Sequence, residues 1–336
     1  MTLHSEVATA VPPASSEMMR AVVLDHFGDA GTLRIADVTM PTPVVGELLI
    51  RVVAAGLNQI DVTTRAGQGA AAGVQCFPAV LGHDFSGVVV QAPYEAFRLQ
   101  PGDEVYGVSA APRSTGSFAE YLTVPAQQVA PKPMVLSHAE AAAVPLAAIT
   151  AWGAVVELAK AHEGQRILIH AGAGGVGHLA VQLAAYFGAH VIATASGRNT
   201  SWLHELGASE TVDHTTTRFE DVVAEVDTVI DLVGDRFDHT GPRSLAVLRP
   251  GGLVVNVSSG TWPTLMDDAA RAGVRATTYR MVPDAATLAV IGRLIDSGDL
   301  RVSVQEVFPL ARIADAQRLL EAGHVRGKVV IQISGY

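Results

Sequence analysis

The sequence is poor in cysteine and has no long uninterrupted apolar run. Cys76 is the one cysteine among 336 residues, which excludes an internal disulfide framework and any structural zinc site built from several cysteines of one chain. Glycine, proline, histidine or charged residues interrupt every apolar stretch before it reaches the length of a membrane helix. We therefore predict no membrane partner, and the low cysteine content makes the cytoplasm the expected location.

Positive charge is also scarce. Lys and Arg total 23 against 33 Asp and Glu, and the net charge of -10 argues against nucleic acid as a partner. A local site can still bind an anionic cofactor, and a small-molecule substrate is expected. Residues 1–17 contain no basic segment and no sustained apolar core, so we predict a flexible leader rather than a signal peptide. With 336 residues, 49% of them hydrophobic, the chain is long enough for two domains.

One stretch, residues 163–198, has the pattern of a strand, a glycine turn, a helix and a second strand. An apolar run at 167–169 precedes Gly172, Gly174 and Gly177, which fit the spacing G-x-G-x-x-G. Apolar residues then recur at helical spacing, and 190–195 is again strand-like. Residues without Cβ let the backbone approach a pyrophosphate at a helix N-terminus, so the stretch predicts a dinucleotide site. A glycine turn that serves only close packing is the alternative.

The end of the second strand distinguishes the two nicotinamide cofactors. An Asp or Glu there holds the ribose 2′-hydroxyl of NAD, whereas NADP sites supply an Arg and small polar groups. Here Ser196 and Arg198 follow the strand, and no acid appears before Glu205. The pattern favours NADPH, and a solvated Arg198 without a cofactor role is the alternative.

The pattern of the sequence changes along the chain. Residues 18–132 hold short runs rich in Val, Leu and Ile, separated by turns with Pro and Gly, which predicts a β-rich domain. Ser137 and Glu140 form a capping box, and strands then alternate with helices as in a parallel, doubly wound sheet. A turn is predicted at 249–252, and helices near 283–297 and 313–322 precede a last strand at 328–333.

Several motifs in a fixed order resemble the medium-chain dehydrogenase/reductase superfamily, and within it the zinc-independent quinone oxidoreductase branch. They are VVAAGLNQIDVTTRAG (52–67), PAVLGHDFSGVV (78–89), PGDEVYG (101–107), GSFAEYLTVPA (116–126), LGASETVDH (206–214) and RGKVVIQI (326–333). The resemblance implies an α/β fold in which a Rossmann doubly wound parallel sheet (133–279) is inserted in a GroES-like β-rich catalytic domain (18–132 and 280–336). It also implies an active site in the cleft between the domains, and a homodimer formed edge to edge through 274–279.

Zinc members of this superfamily take a cysteine from the segment that matches 56–61 and a histidine from the one that matches 81–87. Here Asn58 stands at the cysteine position while His83 is retained. The thiolate ligand is absent, so we predict no metal. A metal site formed by His83 and Asp84 with residues distant in sequence is the alternative.

The resemblance also suggests the site residues. Asn58 is the first candidate catalytic residue, as a hydrogen-bond donor to the substrate carbonyl or a group that orients the nicotinamide. Asp61 is the second, and fixing the local loop is favoured for it over proton transfer. The candidate cofactor contacts are Thr150, Gly174, Gly175, Val176, Gly177, Ser196, Arg198, His214, Asn256, Val257, Ser258 and Lys328. A helix cap, a surface histidine and a solvated lysine are the alternatives for Thr150, His214 and Lys328.

Without a metal to hold an alkoxide, the sequence favours hydride delivery from NADPH to a quinone or to the activated C=C of an enone-type small molecule. Negative charge then builds on the substrate carbonyl oxygen, so the site needs hydrogen-bond donors rather than a strong nucleophile. Three alternatives remain open on the same fold: a biosynthetic tailoring enzyme, a non-enzymatic NADPH-binding protein, and an alcohol dehydrogenase with an unconventional metal site.

Overall fold

The computed structural model describes residues 17–109, 116–235, 237–258 and 262–335. The predicted leader, residues 1–17, lies outside the described residues except for Glu17. The strands, in chain order, are β1 (Met18–Leu24), β2 (Leu33–Thr39), β3 (Glu47–Leu57), β4 (Ala79–Val80), β5 (Asp84–Gln91), β6 (Glu104–Val108), β7 (Tyr121–Pro125), β8 (Val129–Pro131), β9 (Arg166–Ile169), β10 (His190–Ala195), β11 (Glu210–Asp213), β12 (Val226–Asp231), β13 (Leu248–Asn256), β14 (Arg275–Thr278), β15 (Val304–Pro309) and β16 (Lys328–Gln332).

Helices pack against these strands. In chain order they are α1 (Gln59–Arg65), α2 (His138–Ala142), α3 (Pro145–Trp152), α4 (Gly177–Tyr186), α5 (Thr200–Glu205), α6 (Thr240–Ser244), α7 (Leu265–Ala272), α8 (Ala285–Asp296) and α9 (Ile313–Glu321). Among the described residues, no helix combines the length and the apolarity that crossing a membrane requires.

A six-stranded parallel sheet has the order β11-β10-β9-β12-β13-β14. Its central strands are short apolar runs, and Ile167, Ile169 and Val255 are fully buried in one core with the apolar face of α4. The chain leaves β9 for β10 on one side and later returns to β12 on the other. A crevice therefore opens at the carboxyl ends of β9 and β12, which is where ligands bind in sheets of this kind.

A second, mostly antiparallel sheet has the order β15-β16-β3-β5-β6-β8, and β7 also pairs with β3. Its two strands β15 and β16 follow the six-stranded sheet in sequence, while the others precede it. Val330 of β16 pairs with Gly56 of β3, which brings Lys328 to the end of β3. The predicted fold class, a Rossmann sheet inserted in a GroES-like β-rich domain, is confirmed.

The structure departs from the sequence-based elements at a few places. The turn predicted at 249–252 lies inside β13, where the pairing with β12 shifts register and Gly251 has φ of +73°. α3 begins at Pro145, because the fixed φ of proline suits the first helical position. It continues as a π-helix at Gly153–Leu158. The short α1 and the edge strand β15 were not predicted, since neither has a sustained apolar period.

Candidate functional site

The glycine turn between β9 and α4 brings the helix close to the strand. A Cβ on Gly177 would lie 2.1 Å from the carbonyl oxygen of Ala171, and one on Gly172 would lie 2.9 Å from Cβ of Ala193. Neither distance is compatible with a larger side chain unless the backbone moves. These glycines thus permit the tight packing of α4 against the sheet.

The same turn leaves backbone donors available at the start of α4. The N–H groups of Gly175, Val176 and Gly177 donate to no other group within the described residues, whereas those of Gly174 and His178 are bonded inside the turn. α4 is ten residues long and its dipole adds positive potential at this end. Three available N–H groups at a helix N-terminus fit the pyrophosphate of a dinucleotide.

A cavity of about 350 Å³ lies at the end of β10. Its lining residues are Ser196, Gly197, Arg198, Asp213, Thr215 and His324. Arg198 lies in the cavity with Nη2 donating to the carbonyl oxygen of His324 at 2.7 Å. The cavity therefore has the position and the cation expected of an adenosine 2′-phosphate site.

Asp213 is a cavity residue that the sequence analysis missed. It ends β11, the strand beside β10, and its Oδ1 accepts hydrogen bonds from the N–H and hydroxyl groups of Thr215 at 2.9 and 2.6 Å. These hydrogen bonds lower its pKa, so a carboxylate shares the cavity with Arg198. The strand order places Asp213 there, because neighbouring parallel strands have their carboxyl ends at the same edge of the sheet.

His214 does not line this cavity, although it follows Asp213 directly. His214 is exposed, and its backbone N–H donates to the carbonyl oxygen of Ala195 at 3.1 Å. An adjoining cavity of about 500 Å³ shares Arg198 and adds Arg326. The Arg326 guanidinium lies 4.2 Å from the ring centroid of Trp202, a cation–π contact that holds it at the cavity wall.

A group of five polar residues, which we call the polar cluster, lies where β3, β5 and β16 meet. Its members are Asn58, Asp61, His83, Asp84 and Lys328. Asp84 is fully buried, and its Oδ1 accepts the backbone N–H of Leu146 at 2.7 Å. Its Oδ2 accepts Nδ2 of Asn58 at 2.9 Å and Nζ of Lys328 at 3.3 Å. Burial raises the pKa of Asp84, and these three donors act in the opposite direction.

Asn58 is held from both ends of its side-chain amide. Nζ of Lys328 donates to its Oδ1, while its Nδ2 donates to Asp84. An ammonium can only donate and a carboxylate accepts, so the orientation of the amide follows from its neighbours. The remaining Nδ2 hydrogen has a weak contact with the Gly56 carbonyl oxygen at 3.5 Å.

Asp61 connects the start of α1 to His83. Its Oδ2 accepts the backbone N–H of Asn58 at 2.8 Å, and its Oδ1 lies 2.6 Å from Nδ1 of His83. The Asp61 side chain is 0% exposed and that of His83 is 18% exposed. Burial on its own would lower the pKa of His83, but the Asp61 and Asp84 carboxylates together outweigh it and the pKa is raised.

Lys328 joins the polar cluster to the glycine turn. A Cβ on Gly175 would lie 3.0 Å from Cδ of Lys328, so the lysine stem runs along the turn. The N–H of Gly327 also donates to the carbonyl oxygen of Ala173 at 2.9 Å. The predicted pyrophosphate turn and the predicted catalytic residue Asn58 are thus connected through one side chain.

The remaining predicted contacts lie outside the cluster. Thr150 is buried on α3, and its hydroxyl donates to the Leu146 carbonyl oxygen at 2.6 Å. Asn256 ends β13 and donates through Nδ2 to Oδ2 of Asp231 at 3.0 Å, and Val257 and Ser258 follow it. Ser196 accepts Nδ2 of Asn199 at 3.2 Å. The cluster is connected to the helix of Thr150, since Leu146 near its start is bonded to Asp84.

The donor set of the polar cluster does not fit zinc. An amide stands where a thiolate ligand would be needed, and its oxygen already accepts the ammonium of Lys328, which would repel a divalent cation. The buried Asp84 carboxylate already accepts donors from Asn58, Lys328 and Leu146. The described residues contain no group of three or more His, Cys, Asp or Glu placed to hold a metal ion.

Two family profiles match this sequence. The profile described as Alcohol dehydrogenase GroES-like domain matches residues 45–134, and the one described as Zinc-binding dehydrogenase matches residues 206–331. The first covers β3 to β8 and the second covers most of the parallel sheet together with β15 and β16.

Relatives match along nearly the whole chain. The 2-methylene-furan-3-one reductase of Solanum lycopersicum is 35% identical over 97% of this chain and 82% of its own length. The chloroplastic NADPH-dependent alkenal/one oxidoreductase of Arabidopsis thaliana is 33% identical over 93% of this chain and 79% of its own. The solved structure of the quinone oxidoreductase from Coxiella burnetii superposes with a TM-score of 0.89 at 36% identity, covering 95% of this chain and 100% of that one.

Proposed function

Because the chain belongs to the medium-chain dehydrogenase/reductase superfamily, in its quinone oxidoreductase branch, we propose that it is an NADPH-dependent, zinc-independent reductase. Its substrate is a quinone or the activated C=C of an enone-type small molecule. The names of the relatives support an oxidoreductase with a nicotinamide cofactor.

The observation that carries the proposal is the contact between the glycine turn and the polar cluster through Lys328. A dinucleotide whose pyrophosphate lies on the N–H groups of Gly175, Val176 and Gly177 has the polar cluster beside it. The bound nicotinamide supplies the hydride. This chain's residues bind the cofactor, hold the substrate carbonyl and supply hydrogen-bond donors where negative charge develops.

Arg198 supports NADPH over NADH. It lines the cavity at the end of β10, where a 2′-phosphate would add charge-assisted hydrogen bonds. Asp213 works against this preference, because its carboxylate faces the same cavity. Arg198 is exposed, and within the described part of the chain its Nε and Nη1 have no hydrogen-bond partner, so we expect the preference for NADPH to remain, at a reduced size.

Stopped-flow absorbance of the reduced nicotinamide tests the proposal. The purified protein is mixed with NADPH or NADH and, separately, with a naphthoquinone, a simple enone and an alkenal. Oxidation of NADPH, faster than that of NADH, by at least one acceptor is the expected result. If NADPH binds but none of the acceptors oxidises it, the reductase proposal fails.

We also propose that the protein forms a homodimer. β14 is an outer strand of the six-stranded sheet, and within the described residues it pairs only with β13. An exposed strand edge of this kind pairs readily with a second copy. Light scattering after size exclusion should give twice the chain mass of 35.0 kDa, whereas the mass of a single chain contradicts the proposal.

A further inference from the structure

The reduction needs a proton as well as a hydride, and most of the polar cluster cannot supply it. Asn58 is held by Lys328 and Asp84, and the carboxylates of Asp61 and Asp84 are fully buried. Lys328 is almost fully buried and donates two of its three ammonium hydrogens, one to Asn58 and one to Asp84. These four residues hold one another, and each is at most 7% exposed.

His83 differs from them because one end of its ring is accessible. Nδ1 is engaged by Asp61 at 2.6 Å, while Nε2 bonds to no group in the described part of the chain. Its side chain is 18% exposed, and Nε2 is not among the buried polar atoms without a partner. Solvent therefore reaches Nε2.

Asp61 fixes the orientation and the protonation state of the His83 ring. Its carboxylate accepts the Nδ1 hydrogen, and its second oxygen accepts the Asn58 N–H, so it cannot turn away from His83. The charged groups that face His83 are Asp61 from α1, Asp84 from its own segment and Lys328 from β16. Two carboxylates against one ammonium favour the imidazolium, and the pKa of His83 is raised although burial opposes this.

We propose that His83 is the proton donor of the reduction, acting through Nε2 on the substrate carbonyl oxygen, with Asp61 as its positioning residue. This inference rests on the proposed function, because it requires a nicotinamide beside the polar cluster. It does not use His83 as a metal ligand, since the Lys328 ammonium occupies the neighbouring amide oxygen of Asn58 and the carboxylate of Asp84.

The step balances for an enone. The hydride adds to the β-carbon, the C=C electron pair moves to form the Cα=C bond, and the C=O π pair moves to oxygen. Oxygen takes the hydrogen of Nε2 as its bond to nitrogen breaks, which leaves neutral imidazole and an enol. The enol converts to the ketone in water, and water returns a proton to Nε2. NADPH is oxidised, the enone is reduced, and one proton is consumed from solution.

The test compares His83→Asn with the unmodified protein. An Asn amide can still donate to Asp61, and His83→Gln is a second variant in case the first does not fold. Asp61→Asn tests the positioning role, and His162→Asn, at an exposed histidine whose Nδ1 contacts the Lys160 carbonyl oxygen, is the matched control. The measurements are kcat and KM for an enone between pH 5 and 9, and the Kd of NADPH without acceptor.

We expect kcat of the unmodified protein to fall as pH rises through the raised pKa of His83, because the imidazolium is then lost. His83→Asn should lower kcat about 100-fold or more and abolish this fall of kcat at high pH, which is the alkaline limb of the pH profile. The Kd of NADPH should stay unchanged within about 3-fold. Asp61→Asn should lower kcat and move the limb to lower pH. His162→Asn should match the unmodified protein.

Two results would overturn the inference while the proposed function stands. One is a His83→Asn protein that keeps its rate, or loses rate equally at all pH values with the limb intact. The other is an Asp61→Asn protein whose kcat and pH profile both match those of the unmodified protein, since Asp61 would then not position His83. Activity that EDTA removes and zinc restores would contradict the zinc-independent function together with this inference, since His83 would then be a ligand. If the unmodified protein binds NADPH but oxidises it with no acceptor, the proposed function fails and this inference fails with it.

Discussion

The ammonium of Lys328 and the carboxylate of Asp84 lie 3.3 Å apart in the interior, although 244 positions separate them in the chain. Both side chains are almost completely buried, so each needs the other to compensate for the water it has lost. The pair also fixes Asn58 and, through the Leu146 N–H, the start of α3. Four segments of the chain are thus held at one point, beside the glycine turn.

Removing one member of this pair should be strongly destabilising. Lys328→Met leaves the Asp84 carboxyl buried without its cation, and we expect the free energy of unfolding to fall by about 3 to 5 kcal/mol. Arg271→Met is the control, because Arg271 is 72% exposed and its pair with Asp268 should contribute less than about 1 kcal/mol. Urea denaturation measures both. The double variant Lys328→Met with Asp84→Asn should lose less than the sum of the single changes, and strict additivity would contradict the pairing.

Gly177→Ala should damage both folding and cofactor binding. The added Cβ would lie 2.1 Å from the Ala171 carbonyl oxygen, so α4 must move away from the turn. We expect a loss of stability of about 1 to 3 kcal/mol and NADPH binding weakened by about 10-fold or more. Gly73→Ala is the control, since a Cβ there meets nothing within 4 Å. Calorimetry and fluorescence titration give the two quantities, and equal behaviour of the two variants would contradict the tight-turn account.

The cavity at the end of β10 should set the preference between cofactors. Arg198→Leu removes a cation that can form charge-assisted hydrogen bonds, and we expect the Kd of NADPH to rise about 10-fold or more with little change for NADH. Asp213→Asn removes an opposing charge and should lower the Kd of NADPH by less than about 10-fold. Arg249→Leu changes an exposed arginine paired with Asp227 and serves as the control. An unchanged NADPH-to-NADH ratio in Arg198→Leu would exclude this residue from the 2′-phosphate site.

Acid should destabilise the protein through two buried histidines. Burial lowers the pKa of His170 and of His178 to about 4 each, so both are neutral in the folded state. The unfolded chain binds protons near the ordinary histidine pKa of about 6.5, and stability therefore falls as pH drops from about 6.5 to about 4, by about 3 kcal/mol for each group. Glu220, with its pKa lowered to about 2, adds a loss only below about pH 4.5.

Two other groups, His83 and Asp84, change the stability with pH in the opposite direction. Comparing variants separates their contributions from those of the buried histidines. The raised pKa of His83 gives stability that is complete below about pH 6.5 and is lost as pH rises. The raised pKa of Asp84 favours the folded state as it protonates in acid. His178→Asn should therefore show a flatter unfolding free energy between pH 6.5 and 4.5 than the unmodified protein, while His162→Asn should not. A variant curve with the original slope would contradict the assignment to His178.

The fold was predictable because its elements carry local signals. The apolar run at 167–169, the glycines after it and the helical spacing of α4 lie within 25 positions, and the structure has each of them. The capping box is also present, with Ser137 Oγ accepting the Glu140 N–H at 3.3 Å and Glu140 accepting the Ser137 N–H at 2.9 Å. The division at residues 132 and 279 remains a prediction.

The site was less predictable, because its contacts join distant segments. The sequence shows Asp61 and His83 in separate motifs, and only the pairing of β3 with β5 brings the two segments together. Asp213 was missed for the same reason. The acid that distinguishes NAD from NADP is expected at the end of the second strand of the sheet, β10, whereas Asp213 ends the third strand, β11. Asn58 was predicted as a hydrogen-bond donor to the substrate carbonyl or as a group that orients the nicotinamide, and its contacts with Asp84 and Lys328 restrict the first role.

The position of β16 has a consequence for synthesis on the ribosome. β3 pairs with β16 along one of its edges, for example through Gly56 and Val330. During translation this edge of β3 and the carboxylate of Asp84 stay without β16 and Lys328 until more than 240 further residues have been synthesised. The parallel sheet between them can fold in that interval, so we expect the nascent β-rich part to be the segment that chaperones protect.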